Sequence, residues 1–290
     1  MLSGCGGSDG ERPLELALVS TRDGDYAIYT MAADGSGQTR LSESEGEEAD
    51  ERNALFFEIE PAWSPDGRRI AFASRRTGSF DIYSVNVDGA DLRRLTTTRD
   101  QDVHPTWSAD GRSIAFQRGE PGRIYVMSAD GSGARRLTND LAEESEPAWS
   151  PDDSWVVYVR KTPGTTVREL WLVRPDGSER HKLTAFASSV YDPAWSPDST
   201  RIAFAGNLDG QVYDIHSVGA GGKDLRRHTQ SPDDAFEPSW SPDGRTIAFS
   251  RGGSIVTVDL EGSVEEITDP ENNDSSPAWN PDPPADDEES

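Results

Sequence analysis

The chain has 290 residues, of which 33% are apolar, a single cysteine, and a formal net charge of −25. One cysteine excludes a disulfide within the chain, and the sequence has no run of about 18 apolar residues that would mark a membrane-spanning helix. The negative charge argues against binding to nucleic-acid phosphates and favours a well-solvated monomer.

The first residues are polar and contain the lone cysteine. Residues 2–5 read Leu-Ser-Gly-Cys, and Gly-Gly-Ser-Asp-Gly follows. This string resembles a bacterial lipoprotein signal, in which small residues precede a cysteine that becomes lipidated. Only Met1 and Leu2 stand before the motif, so we expect a truncated signal, with Cys5 lipidated and residues 1–13 acting as a tether. The alternative is an ordinary cysteine in a polar tail.

Three strands are predicted in residues 14–42. Residues 16–19 (LALV) and 27–29 (AIY) are short apolar runs, and Asp34-Gly35 marks a turn before a last segment that ends at residues 41–42. Apolar runs of this length bounded by turn residues are typical of β-strands.

Residues 43–60 form a long acidic insertion. It contains the apolar stretch Ala-Leu-Phe-Phe at 54–57. Apolar residues beside charge predict either a docking surface or a patch that folds down onto the rim of the domain.

A tryptophan motif then recurs. Its copies read PAWSPDG, PTWSADG, PAWSPDD, PAWSPDS, PSWSPDG and PAWNPDP, with tryptophans spaced by 44, 42, 46, 45 and 39 residues. Each copy except the last is followed by two strand-length apolar runs, a turn that is usually Asp-Gly, and a segment that ends in a pair such as Leu-Thr. Four strands in about 44 residues describe one blade of a propeller. The motif tryptophans are Trp63, Trp107, Trp149, Trp195, Trp240 and Trp279.

The two ends of the chain are incomplete in complementary ways. Residues 277–282 supply a motif without further strands, whereas residues 14–42 supply three strands without a motif. Joining them completes a sixth blade and removes open sheet edges. We therefore predict an all-β, six-bladed β-propeller of four-stranded blades over residues 14–282, followed by an acidic disordered tail over 283–290.

The pattern P-x-W-S-P-D-G-x-x-I-A-F, followed by an Ile-Tyr strand, Asp-Gly and Leu-Thr, resembles the repeat of TolB-like β-propellers. The resemblance covers nearly the whole chain. It implies the propeller fold and an envelope scaffold that contacts a peptidoglycan-associated lipoprotein. Propellers host unrelated activities, so the resemblance says more about fold than about function.

The repeated motif residues are predicted to be structural. The tryptophans are large enough to fill the wedge between adjacent blades, and each indole N–H can find an acceptor there. The motif aspartates, such as Asp66, are expected in tight turns, where the carboxylate accepts a bond from the backbone two residues on.

The residue before each motif proline is the candidate binding position. In a propeller the outermost strand of one blade crosses to the innermost strand of the next, and we expect that crossing to bring this residue to the mouth of the central channel. Carboxylates gathered there would raise one another's pKa unless a cation such as calcium, water or a basic group compensates. The ring predicts either a ligand or partner site or carboxylates satisfied by neighbouring amides. The positions are Glu60, His104, Glu146, Asp192, Glu237 and Ser276.

Catalysis is not predicted. Residues 6–10 fit G-x-S-x-G but lie in the polar tether rather than at a strand-to-helix turn. The histidines are expected at different blade positions, where they cannot converge for metal or triad chemistry. They are His104, His181, His216 and His228.

These patterns predict a non-catalytic, extracytoplasmic binding scaffold of the cell envelope without a cofactor. It would meet the membrane only through a lipid anchor and bind a protein or peptide partner at the channel mouth. The alternative is a propeller lyase or hydrolase acting in the channel, although the ring carboxylates would repel an anionic substrate.

Overall fold

The computed structural model describes residues 15–41, 57–139 and 141–281. These residues form 24 β-strands and one short 3-10 helix, Pro270–Asn272. The first twelve strands are β1 Glu15–Ser20, β2 Ala27–Ala32, β3 Thr39–Arg40, β4 Glu58–Trp63, β5 Arg69–Ser74, β6 Asp81–Asn86, β7 Arg93–Arg94, β8 Asp102–Trp107, β9 Ser113–Arg118, β10 Arg123–Ser128, β11 Arg135–Arg136 and β12 Glu144–Trp149. The others are β13 Val156–Lys161, β14 Arg168–Val173, β15 His181–Lys182, β16 Val190–Trp195, β17 Arg201–Gly206, β18 Asp214–Gly219, β19 Arg226–Arg227, β20 Ala235–Trp240, β21 Thr246–Arg251, β22 Ser254–Asp259, β23 Val264–Glu266 and β24 Ser275–Trp279.

The strands pair into six antiparallel, four-stranded sheets, which are the blades of a β-propeller. Blades 1 to 5 each use four consecutive strands, β4–β7, β8–β11, β12–β15, β16–β19 and β20–β23. Blade 6 has the order β24-β1-β2-β3. The predicted all-β fold with six four-stranded blades is therefore confirmed.

Blade 6 closes the ring with strands from both ends of the chain. Leu16 pairs with Trp279 and Ala17 with Ala278 in an antiparallel ladder. The backbone N–H of Asn280 donates to the carbonyl of Glu15 at 2.9 Å. Closure in this way satisfies the backbone groups of two strands that would otherwise be exposed edges.

The motif tryptophans pack between blades, as predicted, but the buried indole nitrogens of Trp149, Trp240 and Trp279 have no hydrogen-bond partner among the described residues. Trp63, on the innermost strand of blade 1, lies in a buried cluster with Ile28 of blade 6 and Phe72 of its own blade. Its indole N–H donates to the carbonyl of Ala278 in blade 6 at 2.9 Å. The side chain therefore joins two sheets through apolar contact and one polar bond.

The Ser-Pro-Asp-Gly sequence after Trp63, with variants after the other motif tryptophans, builds the turn into the second strand. Asp66 Oδ1 accepts the N–H of Arg68 at 3.1 Å, two residues on, and also the hydroxyl of Ser64 at 2.5 Å. The Ser64 hydroxyl oxygen in turn accepts the N–H of Arg69 at 2.9 Å. The aspartate is held by its own turn, which confirms its structural role.

The outermost strands are shorter than the repeat suggests. β7 spans two residues and ends before the Leu-Thr pair. Thr96 of that pair instead accepts the N–H of Ile82 at 3.0 Å through its hydroxyl and donates to Asp81 at 3.2 Å. The hydroxyl of this repeated threonine therefore adds side-chain bonds to the backbone bonds that Leu95 and Thr96 donate to the carbonyl of Ile82.

Several sequence predictions concern residues outside the described ranges: Cys5 and the tether 1–13, most of the insertion 43–60, and the tail 283–290. Phe57, the described end of the insertion's apolar stretch, stacks on Tyr26 with ring centroids 4.7 Å apart. Phe57 therefore packs onto blade 6, which agrees with the alternative in which the apolar stretch folds down onto the rim of the domain. Within the described ranges no helix is long and apolar enough to cross a membrane.

Candidate functional site

The six residues that precede the motif prolines, here called the carboxylate ring, surround one small cavity. Together with their prolines they line a space of about 160 Å³. Glu60, Glu146, Asp192 and Glu237 contribute carboxylates, and His104 and Ser276 complete the set. The structure thus brings all six predicted positions together, while their role in binding stays a prediction.

A repeated backbone irregularity places these side chains. In blade 1 the register between β4 and β5 shifts between Ile59 and Ala62, so Glu60 and Pro61 form a bulge. Glu60 adopts a φ of +58°, and the five equivalent residues have φ between +51° and +56°. Such values are uncommon for residues other than glycine, and a bulge redirects a side chain. We expected these residues on the crossing between blades; they lie within the innermost strands instead.

The ring is connected from one blade to the next by side-chain-to-backbone hydrogen bonds. Glu60 Oε2 accepts the N–H of His104 at 2.6 Å, and Glu146 Oε2 accepts that of Asp192 at 2.7 Å. Asp192 Oδ2 accepts the N–H of Glu237 at 3.1 Å, and Glu237 Oε2 accepts that of Ser276 at 2.7 Å. Neighbouring amides therefore satisfy one oxygen of each ring carboxylate. This agrees with the interpretation in which the carboxylates accept hydrogen bonds from nearby backbone.

The negative charge of Asp192 and Glu60 is poorly compensated, whereas Glu146 and Glu237 also accept bonds from serine hydroxyls. Burial, followed by repulsion from Glu146 and Glu237, raises the pKa of Asp192 well above its usual 3.8. Burial also raises the pKa of Glu60, and the charge of His104 partly offsets that rise. His104 Nε2 lies 3.2 Å from Glu60 Oε1. The part of the ring around Asp192 therefore favours an added proton or cation.

The ring carboxylates are not arranged as a metal centre. Among the described residues, no group of three or more His, Cys, Asp or Glu side chains is placed to hold a metal ion. The backbone bonds above explain this, because each carboxylate points one oxygen at its neighbour's amide rather than at a common centre.

Beside the ring, two ion pairs that the sequence did not predict lie at the start of β8 and just before β24. Asp102 is fully buried and accepts two bonds from Arg118, from Nε at 2.7 Å and Nη2 at 2.8 Å. Arg22 bonds both carboxylate oxygens of Asp274 at 3.0 Å. Each of these acids stands two residues before a ring position, so the period of a strand predicts that it lies on the same face. Nothing in the sequence identifies the arginine partners.

A larger cavity adjoins the ring on the side of blades 4 to 6. It has a volume of about 750 Å³, and Asp192 and Glu237 line both it and the ring cavity. Phe236 and Arg251 also line it. We call it the side cavity; its volume lies in the range of ligand pockets, roughly 300–1,000 Å³, whereas the ring cavity falls below it.

Two of the four histidines, His216 and His228, belong to the same blade and occupy different strand positions in it. His216 lies on β18, and His228 follows β19 of the same blade. Ser217 Oγ lies 2.8 Å from His228 Nε2. Burial lowers the pKa of His228 to about 4, with Arg201 adding to the effect. Because Ser217 is fully buried, this contact has no access for a substrate and is structural.

A closed ring of six four-stranded blades defines the class of protein as a β-propeller. Residues 8–197, more than half of the chain, match the family model described as the TolB beta propeller domain. The protein therefore belongs to the TolB β-propeller domain family.

Individual relatives match over short stretches. An uncharacterized protein of Agrobacterium fabrum is 43% identical over 75 residues, which are 26% of this chain and 22% of that protein. The Tol-Pal system protein TolB of Desulfosudis oleivorans is 32% identical over 81 residues, 28% of this chain and 16% of that protein. The chain thus spans about a fifth of the curated relatives it matches.

Similarity of structure extends further than similarity of sequence. The crystal structure of TolB from Acinetobacter baumannii superposes with a TM-score of 0.77 over 93% of this chain and 67% of that chain. The sequence identity is 20%, so this likeness concerns the fold alone.

Proposed function

We propose that the protein is a non-catalytic, TolB-like scaffold of the cell envelope that binds a protein or peptide partner at its channel mouth. The observation that carries the proposal is the convergence of four carboxylates on a cavity of about 160 Å³. A space of that size takes a single side chain rather than a whole ligand. The partner is therefore a larger molecule that covers the mouth and inserts one group.

The inserted group is cationic, such as a lysine or arginine side chain. Glu146 and Glu237 raise the pKa of Asp192 by repulsion, on top of its burial. A positive charge placed among these carboxylates relieves the repulsion and takes over the role of the shared proton. Binding is then expected to release a proton and to weaken as the pH falls through the raised pKa of Asp192.

The location proposed is extracytoplasmic, with a lipid anchor at Cys5. The Leu-Ser-Gly-Cys string supports the anchor, and membership in the TolB β-propeller family supports the location. A net charge of −25 favours a soluble monomer that does not bind nucleic acid. Metabolic labelling with an alkyne fatty acid tests the anchor: the wild type should be labelled and C5S should not, and equal labelling of the two refutes it.

An enzymatic function is not favoured. The His104–Glu60 pair is the one place in the described channel where a histidine meets an acid, at 3.2 Å. The space it faces is about 160 Å³ and is lined by further carboxylates. A substrate would have to fit a volume well under the usual roughly 300 Å³ and tolerate the negative charge.

Charge-matched variants test the binding proposal. E146Q/E237Q removes two negative charges from the ring while keeping an oxygen acceptor for each neighbouring amide. D130N/D176N removes the same charge from exposed turns. The partner captured from envelope extracts by the wild-type chain should be lost with the first pair and retained with the second. Equal capture by both variants refutes a binding site at the mouth.

A further inference from the structure

Three blades present an arginine at the same repeat position, Arg118, Arg160 and Arg251, and blades 2 and 5 differ in the residue that lies opposite it. In blade 2, Asp102 at the start of the innermost strand lies opposite Arg118 at the end of the second strand. In blade 5 the equivalent pair is Ala235 and Arg251. Blade 5 therefore keeps the arginine and lacks the acid that holds its counterpart.

The arginine without an acid is half-buried and lines the side cavity. Among the described residues its side chain contacts the ring of Phe249, whose centroid lies 5.7 Å from the guanidinium carbon. Arg118, by contrast, makes two short bonds to a fully buried carboxylate. Partly removing a guanidinium from water without an anionic partner is unfavourable. A carboxylate supplied by a ligand would therefore stabilise the half-buried guanidinium of Arg251.

The acids around the side cavity do not supply that carboxylate from within. Asp274 is bonded by Arg22 through both of its oxygens. Asp233 and Asp234 are exposed, and Asp234 accepts the N–H of Tyr213 at 2.8 Å. Asp192 and Glu237 belong to the carboxylate ring and accept backbone amides there. The cavity accordingly has an acidic end at the ring and, on its wall, a cation that no carboxylate of the described residues pairs with.

We propose that the side cavity binds a carboxylate of the partner through Arg251, next to the cationic group held by the carboxylate ring. The ligand is therefore a dipolar peptide segment, with a basic side chain followed at short distance by an acidic side chain or a C-terminal carboxylate. The geometry of Asp102 on Arg118 is the template for the contact, with two parallel bonds to one carboxylate. This inference rests on the proposed function, since the ring must take the basic group.

Defined peptides test the inference. The probes are acetylated and amidated Lys-(Gly)n-Glu peptides with n from one to three, and the matching Lys-(Gly)n-Gln peptides, titrated into the wild-type chain by calorimetry. A charge-assisted, two-bond contact predicts that, for at least one spacing, the Glu peptide binds about tenfold or more tightly than the Gln peptide.

Three variants locate the effect. R251Q removes the guanidinium, and A235D supplies the acid that blade 2 has, which should occupy Arg251 internally. Both should bind the Glu and Gln peptides equally. R245Q removes the same charge from an exposed turn of the same blade and should keep the preference. R251Q provides the test on its own if A235D does not fold.

The outcomes separate this inference from the proposed function. Binding of both peptides with equal affinity to the wild type, at every spacing and in a manner lost in E146Q/E237Q, overturns the carboxylate site and leaves the scaffold proposal standing. A preference for the Glu peptide that survives in R251Q also overturns it. Absence of binding by any peptide counts against both proposals.

Discussion

The ion pair between Arg22 and Asp274 should be one of the strongest single supports of ring closure. These residues are 252 positions apart in the chain, and Arg22 Nη2 lies 3.0 Å from each carboxylate oxygen of Asp274. The side chain of Asp274 is fully buried and that of Arg22 is 16% exposed. At 3.0 Å and an effective dielectric constant of about 20, their attraction is roughly 5.5 kcal/mol before desolvation is counted.

Removing the arginine alone leaves a buried carboxylate without its counter-ion. We expect R22M to lower the free energy of unfolding by about 3–5 kcal/mol, a large part of the roughly 5–15 kcal/mol typical of a domain. The double variant R22M/D274L removes both charges and should recover most of that loss, because a well-packed apolar pair is often as stable as a buried ion pair.

Urea unfolding followed by tryptophan fluorescence measures these differences. R93M is the control, because Arg93 and Asp91 form an ion pair in which both side chains are exposed, at 58% and 39%, and it should unfold close to the wild type. If R22M unfolds at the same urea concentration as R93M, the buried pair does not hold the two ends together and the reasoning is wrong.

Two further predictions concern titration. The folded state raises the pKa of Asp192, so this group costs stability as the pH rises above about 3.8. D192N should therefore be more stable than the wild type at pH 7, with the gain vanishing at low pH. D198N is its control with opposite sign, since hydrogen bonds lower the pKa of Asp198, and chemical denaturation across pH checks both; a D192N variant less stable than the wild type at pH 7 contradicts the argument. The imidazole of His228 should titrate near pKa 4 by NMR, below the usual 6.5, so that stability falls as the pH drops from 6.5 towards 4; a titration near 6.5 would show that the histidine is solvated.

The propeller fold could be predicted because the same sequence motif recurs in every blade. A motif that returns every 39 to 46 residues fixes the number of blades, and the complementary ends fix the closure. The same equivalence placed Glu60, Glu146 and Asp192 around one cavity. The bulge at Glu60 could not be predicted, because no residue type in the sequence indicates a positive φ before a proline.

The contacts that depend on register between strands were beyond the sequence. Whether Asp102 meets Arg118, or His228 approaches Ser217, is decided by which residues face one another across a sheet, and a shift of one residue would move each side chain to the opposite face. The side cavity was missed for the same reason. Arg251 becomes noticeable only when the structure sets it beside its paired counterpart in blade 2.

The chain of bonds around the channel mouth has two interruptions. Carboxylates link Glu60 to His104, and Glu146 through Asp192 and Glu237 to Ser276. Among the described residues, no equivalent bond joins His104 to the amide of Glu146 or Ser276 to that of Glu60, because imidazole and hydroxyl replace the carboxylate there. These side-chain-to-backbone bonds thus join the blades at the mouth into one group of two and one group of four. If the channel mouth opens, we expect the blades to separate first at these two interruptions. Amide hydrogen exchange should therefore be faster at Glu146 and Glu60 than at Asp192.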